Sequence, residues 1–299
     1  MPQPVKPFVM KYLKFFCLVL FCSAIAFNSF AARVDTLEIQ SSSMHKMVKS
    51  PVVLPDSYNP SGKSYPVIYL LHGGQGSYRD WLSKLKDKLL LHKLADQYQV
   101  IIVTPDGGTT SYYFDSPLDK TSQYETFISK ELIQKIDETY RTIKDRKGRI
   151  IAGLSMGGHG AMFISARHPD IYCAAGSMSG VMDINTATWN VPADFAKSRD
   201  KNFERLLGPP KDTVNRYREY CAVGLVDKMK ANDVKLIFDC GADDIMIRPN
   251  RELHKLLTEN GTPHDYIERP GKHEWPYWEN AVSYQFLFFQ KVFQANGSL

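Results

Sequence analysis

The feature that most constrains this chain is the G-x-S-x-G motif Gly153-Leu154-Ser155-Met156-Gly157. It follows the apolar residues 150–152 and precedes a segment of small residues, so the pattern predicts a strand, a sharp turn and a helix. Such a turn exposes the serine hydroxyl, and its glycines leave room for neighbouring backbone. The motif alone is weak, because it should occur by chance in roughly one chain in ten of this length. The remaining parts of a catalytic site must therefore follow in the right order.

Buried strands alternate with helical patterns along the chain, which predicts βαβ units and a mainly parallel sheet, an α/β fold with helices on both faces. An antiparallel pair of strands is expected before the parallel part. The predicted strands cover residues 34–40, 44–54, 66–71, 100–103, 150–152, 172–178, 234–238 and 265–268. The predicted helices cover residues 80–95 and 121–140, a segment after the motif, residues 249–259, and a C-terminal segment from residue 275.

Residues 181–233 interrupt this alternation. Their apolar periodicity is weak, and they contain Trp189 and several prolines. We interpret the segment as an insertion that covers the site, in which an aromatic ring offers a flat apolar surface to a substrate. The alternative is that Trp189 is packed into the domain.

Ser155 needs a histidine to accept its proton and a carboxylate to orient that histidine. In the hydrolase arrangement these residues follow in the order Ser, acid, His, on loops after later strands. Among the histidines after Ser155, His273 is the one expected in a loop between the last strand and the last helix. Its position therefore predicts that His273 is the general base.

The acid should lie just after the strand at residues 234–238, where Asp239, Asp243 and Asp244 are candidates. Spacing alone does not separate them. The tetrahedral intermediate also needs backbone donors, which are expected from Met156 and from a residue of the turn at 72–74.

The N-terminus has a different composition from the rest of the 299 residues. Lys6, Lys11 and Lys14 precede an apolar run over residues 15–27, followed by Ser29-Phe30-Ala31. This order is typical of a secretory signal peptide over residues 1–31, and the run is shorter than the ~20 residues of a membrane-spanning helix. A retained anchor is the alternative. We expect a secreted or periplasmic protein whose residues 32–299 form a single domain, without stable membrane association after cleavage.

Removal of residues 1–31 takes away three lysines and no acidic residue, which lowers the net charge from +5 to +2. The remaining chain has no basic stripe interleaved with aromatic residues, so nucleic acid is not an expected partner.

No H-E-x-x-H motif or Cys/His cluster is present, and neither a metal nor a cofactor is expected. For Cys173, Cys221 and Cys240, one disulfide and three buried thiols are equal alternatives.

Several segments together resemble the esterase D-like α/β-hydrolases, which include feruloyl and acetylxylan esterases, S-formylglutathione hydrolases, siderophore esterases and mycolyltransferases. The resemblance covers about residues 40–295. The segments that carry it are Leu70-Leu71-His72-Gly73-Gly74, Pro105-Asp106-Gly107-Gly108, Tyr113-Phe114-Asp115-Ser116-Pro117, Gly153-Leu154-Ser155-Met156-Gly157-Gly158, Cys240-Gly241-Ala242-Asp243-Asp244 and Gly271-Lys272-His273-Glu274-Trp275.

The resemblance implies an α/β-hydrolase fold, with Asp244 as the catalytic acid and Gly74 as the second oxyanion donor. Tyr113, Trp189 and Trp275 are candidate substrate-binding residues. We expect an exported serine esterase that acts on polysaccharide-linked feruloyl or acetyl esters. An acyltransferase to a sugar hydroxyl, a siderophore esterase and a non-catalytic carbohydrate-binding protein are the alternatives.

Overall fold

The computed structural model describes residues 34–210 and 214–299. The predicted signal peptide, residues 1–31, lies outside the described residues. Within the two described ranges, no helix is long and apolar enough to cross a membrane. The described residues belong to one compact unit.

An eight-stranded sheet forms the centre of the molecule, with strand order β1-β2-β4-β3-β5-β6-β7-β8. The pairs β1/β2 and β2/β4 are antiparallel, and every neighbouring pair from β4 to β8 is parallel. The mainly parallel sheet predicted from the sequence is thereby confirmed. The strands are β1 (Val34–Ser41), β2 (Lys46–Val53), β3 (Val67–Leu71), β4 (Ile101–Val103), β5 (Arg149–Leu154), β6 (Ala174–Met178), β7 (Lys235–Gly241) and β8 (His264–Arg269).

Helices cover both faces of this sheet because successive side chains of a strand point to opposite sides. Ile150 of β5 packs in one apolar cluster with Phe286, and its neighbour Ile151 packs in the other with Phe163. The helices are α1 (Asp80–Ser83), α2 (Leu90–Tyr98), α3 (Tyr124–Thr126), α4 (Leu132–Thr139), α5 (Met156–Arg167), α6 (Ala193–Leu207), α7 (Val214–Glu219), α8 (Val226–Ala231), α9 (Ile247–Glu259) and α10 (Trp275–Ala295).

The helix predicted over residues 80–95 is wrong as a single element, since α1 and α2 are separated by a turn. The turn is stabilised from outside: Glu279 of α10 accepts hydrogen bonds from the N–H groups of Lys86 (2.7 Å) and Asp87 (2.9 Å). The Asp87 carboxylate in turn accepts one from the N–H of Leu89 at 3.0 Å. These backbone donors therefore have partners that compete with a continuous helix. The helix predicted over 121–140 is present, with a π-helical turn, Phe127–Glu131, between α3 and α4.

The segment at 181–233 is more helical than its weak periodicity indicates. Phe203, Leu206 and Leu207 at the end of α6 are buried, and the Phe203 ring lies 4.6 Å from the ring of Tyr112. The beginning of α6 is largely exposed. Its C-terminal half therefore anchors the helix, and its N-terminal half is free to face a substrate. Cys173, Cys221 and Cys240 are all buried free thiols.

Candidate active site

Ser155 lies at a tight turn between β5 and α5. Its backbone angles are φ 53° and ψ −115°, a strained conformation for a residue other than glycine. Its N–H donates a hydrogen bond of 2.9 Å to the carbonyl oxygen of Met178 on β6. A Cβ atom at Gly153 would lie 2.5 Å from the carbonyl carbon of Gly157, and one at Gly157 would lie 2.5 Å from the Leu71 carbonyl oxygen. The flanking glycines are therefore required by close backbone packing.

The structure brings His273 between Ser155 and Asp244. His273 Nε2 lies 2.9 Å from Ser155 Oγ, and Nδ1 lies 2.9 Å from Asp244 Oδ1 and 3.1 Å from Oδ2. With the proton on Nδ1, the ring donates to the carboxylate and accepts from the serine hydroxyl. This is the geometry needed for proton transfer from a serine nucleophile.

The burial of the three candidate acids distinguishes them, whereas their spacing in the sequence does not. Asp243 is exposed, and Asp239 is buried within β7, where it accepts hydrogen bonds from the side chains of Gln285 (2.8 Å) and Arg269 (3.5 Å). Asp244 is fully buried, and its Oδ1 also accepts from the N–H of Met246 at 2.7 Å. Asp244 is therefore the carboxylate that contacts His273, as the family resemblance implies.

The predicted oxyanion donors lie beside Ser155, because β3 and β5 are parallel neighbours and end at the same edge of the sheet. A Cβ atom at Gly74 would lie 3.9 Å from that of Met156. The Met156 N–H is the first of α5 and has no partner within the helix. Among the described residues, no hydrogen bond is recorded for the Gly74 N–H either. Two backbone donors next to the nucleophile can stabilise a developing oxyanion.

Tyr113 does not line the site, which corrects its assignment as a substrate-binding residue. Its side chain is fully buried, and its hydroxyl donates a 3.0 Å hydrogen bond to the carbonyl oxygen of His72. The ring also fills the space beside Gly107 and Gly160, where a Cβ atom would clash with it. Tyr113 thus supports the oxyanion turn from behind. The adjacent Tyr112 lines the cavity instead, and sequence spacing in an irregular loop gives no signal for which of the two does so.

A cavity of about 430 Å³ opens at Ser155, His273 and the oxyanion turn. Trp189 and Trp275, two of the candidate substrate-binding residues, both line it. Trp189 is also packed into the domain: its Nε1–H donates to the Asp183 carbonyl oxygen at 2.7 Å, and its ring meets Phe203 edge to face at 6.1 Å. Trp189 therefore both packs into the domain and lines the cavity, since a buried ring forms a rigid wall.

Further cavity residues were not identified from the sequence. They comprise apolar or aromatic side chains, Tyr112, Val181, Phe195, Ile245, Met246 and Trp278, and polar ones, Gln75, Asp80, Lys84, Arg199 and Glu274. In the part of the chain that the structure describes, no cluster of three or more His, Cys, Asp or Glu side chains could hold a metal ion. The site can therefore bind an apolar or aromatic group beside a serine nucleophile.

Comparison with known proteins identifies several relatives that are named esterases. The family model described as "Putative esterase" matches residues 41–289. An acetyl esterase of Caldicellulosiruptor saccharolyticus is 27% identical over 81% of this chain and 91% of that protein. An esterase of Mycobacterium tuberculosis is 31% identical over 74% of this chain, which spans only 51% of that protein. The solved structure of a ferulic acid esterase is 33% identical, with a TM-score of 0.74 over 89% of this chain and 100% of its own.

The buried carboxyl of Asp239 makes stability depend on pH. Burial raises its pKa to about 6, against the opposing effects of the Gln285 amide and the Arg269 charge. Because its pKa in the unfolded chain is lower, about 3.9, the folded state binds the proton more tightly. The stability that this proton contributes is complete below about pH 4 and is lost as the pH rises through about 6.

We expect the substitution Asp239→Asn to remove this loss of stability with rising pH. The free energy of unfolding of the variant minus that of the wild type should rise by about 2 kcal/mol between about pH 4 and pH 7, measured by urea unfolding. Asp243→Asn, at an exposed neighbouring position, is the control and should give a constant difference. A difference that is constant or falls with pH for Asp239→Asn would contradict the assignment.

Proposed function

Because the chain belongs to the putative esterase family, whose model matches residues 41–289, we propose that it cleaves carboxylic esters with Ser155 as the nucleophile. The observation that carries this proposal is the continuous line of hydrogen bonds from Asp244 through His273 to Ser155 Oγ. A structural role for three such groups would not require the serine to lie partly exposed on a strained turn.

In the proposed reaction, Ser155 Oγ attacks the ester carbonyl carbon while its proton passes to His273 Nε2. The carbonyl oxygen becomes an oxyanion, which the N–H groups of Gly74 and Met156 stabilise. When the intermediate collapses, His273 returns the proton to the leaving alcohol, and an acyl group remains on Ser155. Water then attacks this acyl-enzyme with His273 as the base, which releases the acid and restores the serine.

Asp244 orients the imidazole and stabilises its charged form without itself taking a proton. Its burial favours this role, because the carboxylate and the imidazolium interact strongly away from water. The N–H of Met246 holds one carboxylate oxygen in place at 2.7 Å. The rotation of the carboxylate is therefore fixed from both sides.

The proposed substrates are acyl groups on polysaccharides, with feruloyl or acetyl esters as the first candidates. Aromatic side chains around the cavity, including Tyr112, Trp189 and Trp275, support an aryl acyl group or a sugar ring. Two relatives are named for such substrates, the acetyl esterase and the ferulic acid esterase, and their names add to this support. With the N-terminal sequence, we propose that the enzyme acts outside the cytoplasm, in the periplasm or after secretion.

A non-catalytic carbohydrate-binding role is less well supported. A binding surface could use the aromatic walls, but it would need neither a histidine within 2.9 Å of a serine hydroxyl nor a buried carboxylate behind it. The proton-transfer geometry therefore favours catalysis.

The catalytic assignment predicts a ranking of variants on one ester substrate. Ser155→Ala and Asp244→Asn should each lower kcat by roughly 10⁴-fold or more, because the first removes the nucleophile and the second leaves the imidazole unoriented. Asp243→Asn is the matched control, since the Asp243 side chain is exposed while the carboxylate on His273 is that of Asp244, and the variant should retain wild-type kcat. Circular dichroism would establish that all three variants are folded. Turnover by Ser155→Ala at the wild-type rate, or a greater loss in Asp243→Asn than in Asp244→Asn, would refute the assignment.

The cavity predicts a second result, at Phe195. This ring lines the cavity and is 43% exposed, so its truncation removes a contact surface with little loss of packing. Phe195→Ala should lower kcat/KM on a feruloyl ester about 10-fold more than on an acetate ester of the same alcohol. Leu118→Ala is the control, since Leu118 is 58% exposed and does not line the cavity. Equal losses on the two esters would show that Phe195 does not select the acyl group.

A further inference from the structure

Arg199 lies on α6 and lines the same cavity as Ser155. Its guanidinium carbon is 5.0 Å from the centre of the Phe195 ring, one helical turn earlier, so the planar group is supported by an aromatic face. Burial raises the pKa of Tyr112 on the cavity wall to about 12, and the charge of Arg199 opposes that rise. Arg199 therefore projects its positive charge onto the wall of the catalytic cavity.

This charge has no carboxylate partner in the described part of the chain. Across residues 34–210 and 214–299, no Asp or Glu oxygen is recorded within 4.0 Å of the Arg199 guanidinium. Its Nε atom is buried and lacks a hydrogen-bond partner, and its Nη2 makes one long contact of 3.5 Å to the hydroxyl of Ser198. The guanidinium also interacts with the neutral hydroxyl of Tyr112. By contrast, Arg205 on the same helix pairs with Asp119 at 2.6 Å. A buried guanidinium N–H without an acceptor is costly unless a ligand supplies one.

The other charges of the cavity do not neutralise Arg199. Lys84 is held by the buried carboxylate of Asp80 at 2.8 Å, so that pair is internally balanced. Glu274 is exposed, and its charge is screened by water. As far as the structure describes it, the polar wall of the cavity thus presents one cation whose polar contacts are all with neutral hydroxyl groups, so its N–H groups can bind an anionic oxygen.

We propose that Arg199 makes this esterase selective for esters that carry a carboxylate group. A guanidinium binds a carboxylate through two parallel, charge-assisted hydrogen bonds, which a neutral amide cannot reproduce. The carboxylate could belong to either part of the substrate, as the free end of a dicarboxylic acyl group or as a uronic acid in the sugar. The inference rests on the proposed esterase function and adds a substrate class to it.

Two pairs of isosteric esters distinguish these sources. For the acyl side, the pair is the mono-4-nitrophenyl ester of glutaric acid and the corresponding ester of glutaramic acid. For the alcohol side, the pair is an acetylated methyl galacturonoside and its carboxamide. Wild-type kcat/KM should favour the carboxylate member of at least one pair by roughly 10-fold to 100-fold, as expected for charge-assisted hydrogen bonds.

Three variants connect this preference to the side chain. Arg199→Gln should bring the carboxylate-to-amide ratio close to one, and Arg199→Lys should retain only part of it, because an ammonium keeps the charge and loses the fork. Arg205→Gln is the control on the same helix and should leave both the ratio and the rate on neutral esters as in the wild type.

The outcomes separate this inference from the function on which it rests. If the wild type hydrolyses the neutral esters without preferring a carboxylate, the inference is refuted and the esterase function stands. A preference that persists in Arg199→Gln refutes it as well. If the wild type hydrolyses neither member of either pair, nor a feruloyl or acetyl ester, both proposals fail.

Discussion

The conformation of Ser155 is the constraint on which the rest of the site depends. A positive φ of 53° is unfavourable for serine, and it is maintained by β5 on one side, α5 on the other and a hydrogen bond to β6. The same turn needs glycine at 153 and 157, because any side chain there would collide with neighbouring backbone. The parallel sheet therefore holds the hydroxyl in one direction, and the catalytic groups can be arranged around it.

Parallel strands explain how residues far apart in sequence reach this hydroxyl. The carboxyl ends of β3, β5, β7 and β8 lie along one edge of the sheet, and each is followed by a loop that carries one part of the site. The oxyanion turn follows β3, Ser155 follows β5, Asp244 follows β7 and His273 follows β8. The segment at 181–233 then adds the wall of the cavity, including Trp189 and Arg199, without altering this arrangement. In the proposed function, catalysis and substrate choice thus depend on different parts of the chain.

The strand pattern and the order of motifs were enough to predict the sheet and the positions of Ser155 and His273, because buried parallel strands have continuous apolar runs. Features that depend on tertiary contacts were not predictable in this way. The break between α1 and α2 depends on Glu279, which lies far along the chain. From the residues alone, Asp244 cannot be chosen over Asp243 without knowing that Asp244 is buried and Asp243 is exposed. That Tyr112 rather than Tyr113 lines the cavity depends on side-chain directions in an irregular loop. No sequence motif marks Arg199, because what distinguishes it is that no described carboxylate pairs with it.

The most direct test of the account is to observe the acyl group on Ser155. Rapid mixing with an excess of a 4-nitrophenyl ester that deacylates slowly should release a burst of nitrophenol equivalent to about one per enzyme. Mass spectrometry of the quenched protein should then find the acyl mass on the peptide that contains Ser155. An ester that is turned over without a burst, with the acyl mass absent or on another residue under conditions where deacylation is slow, would contradict the mechanism.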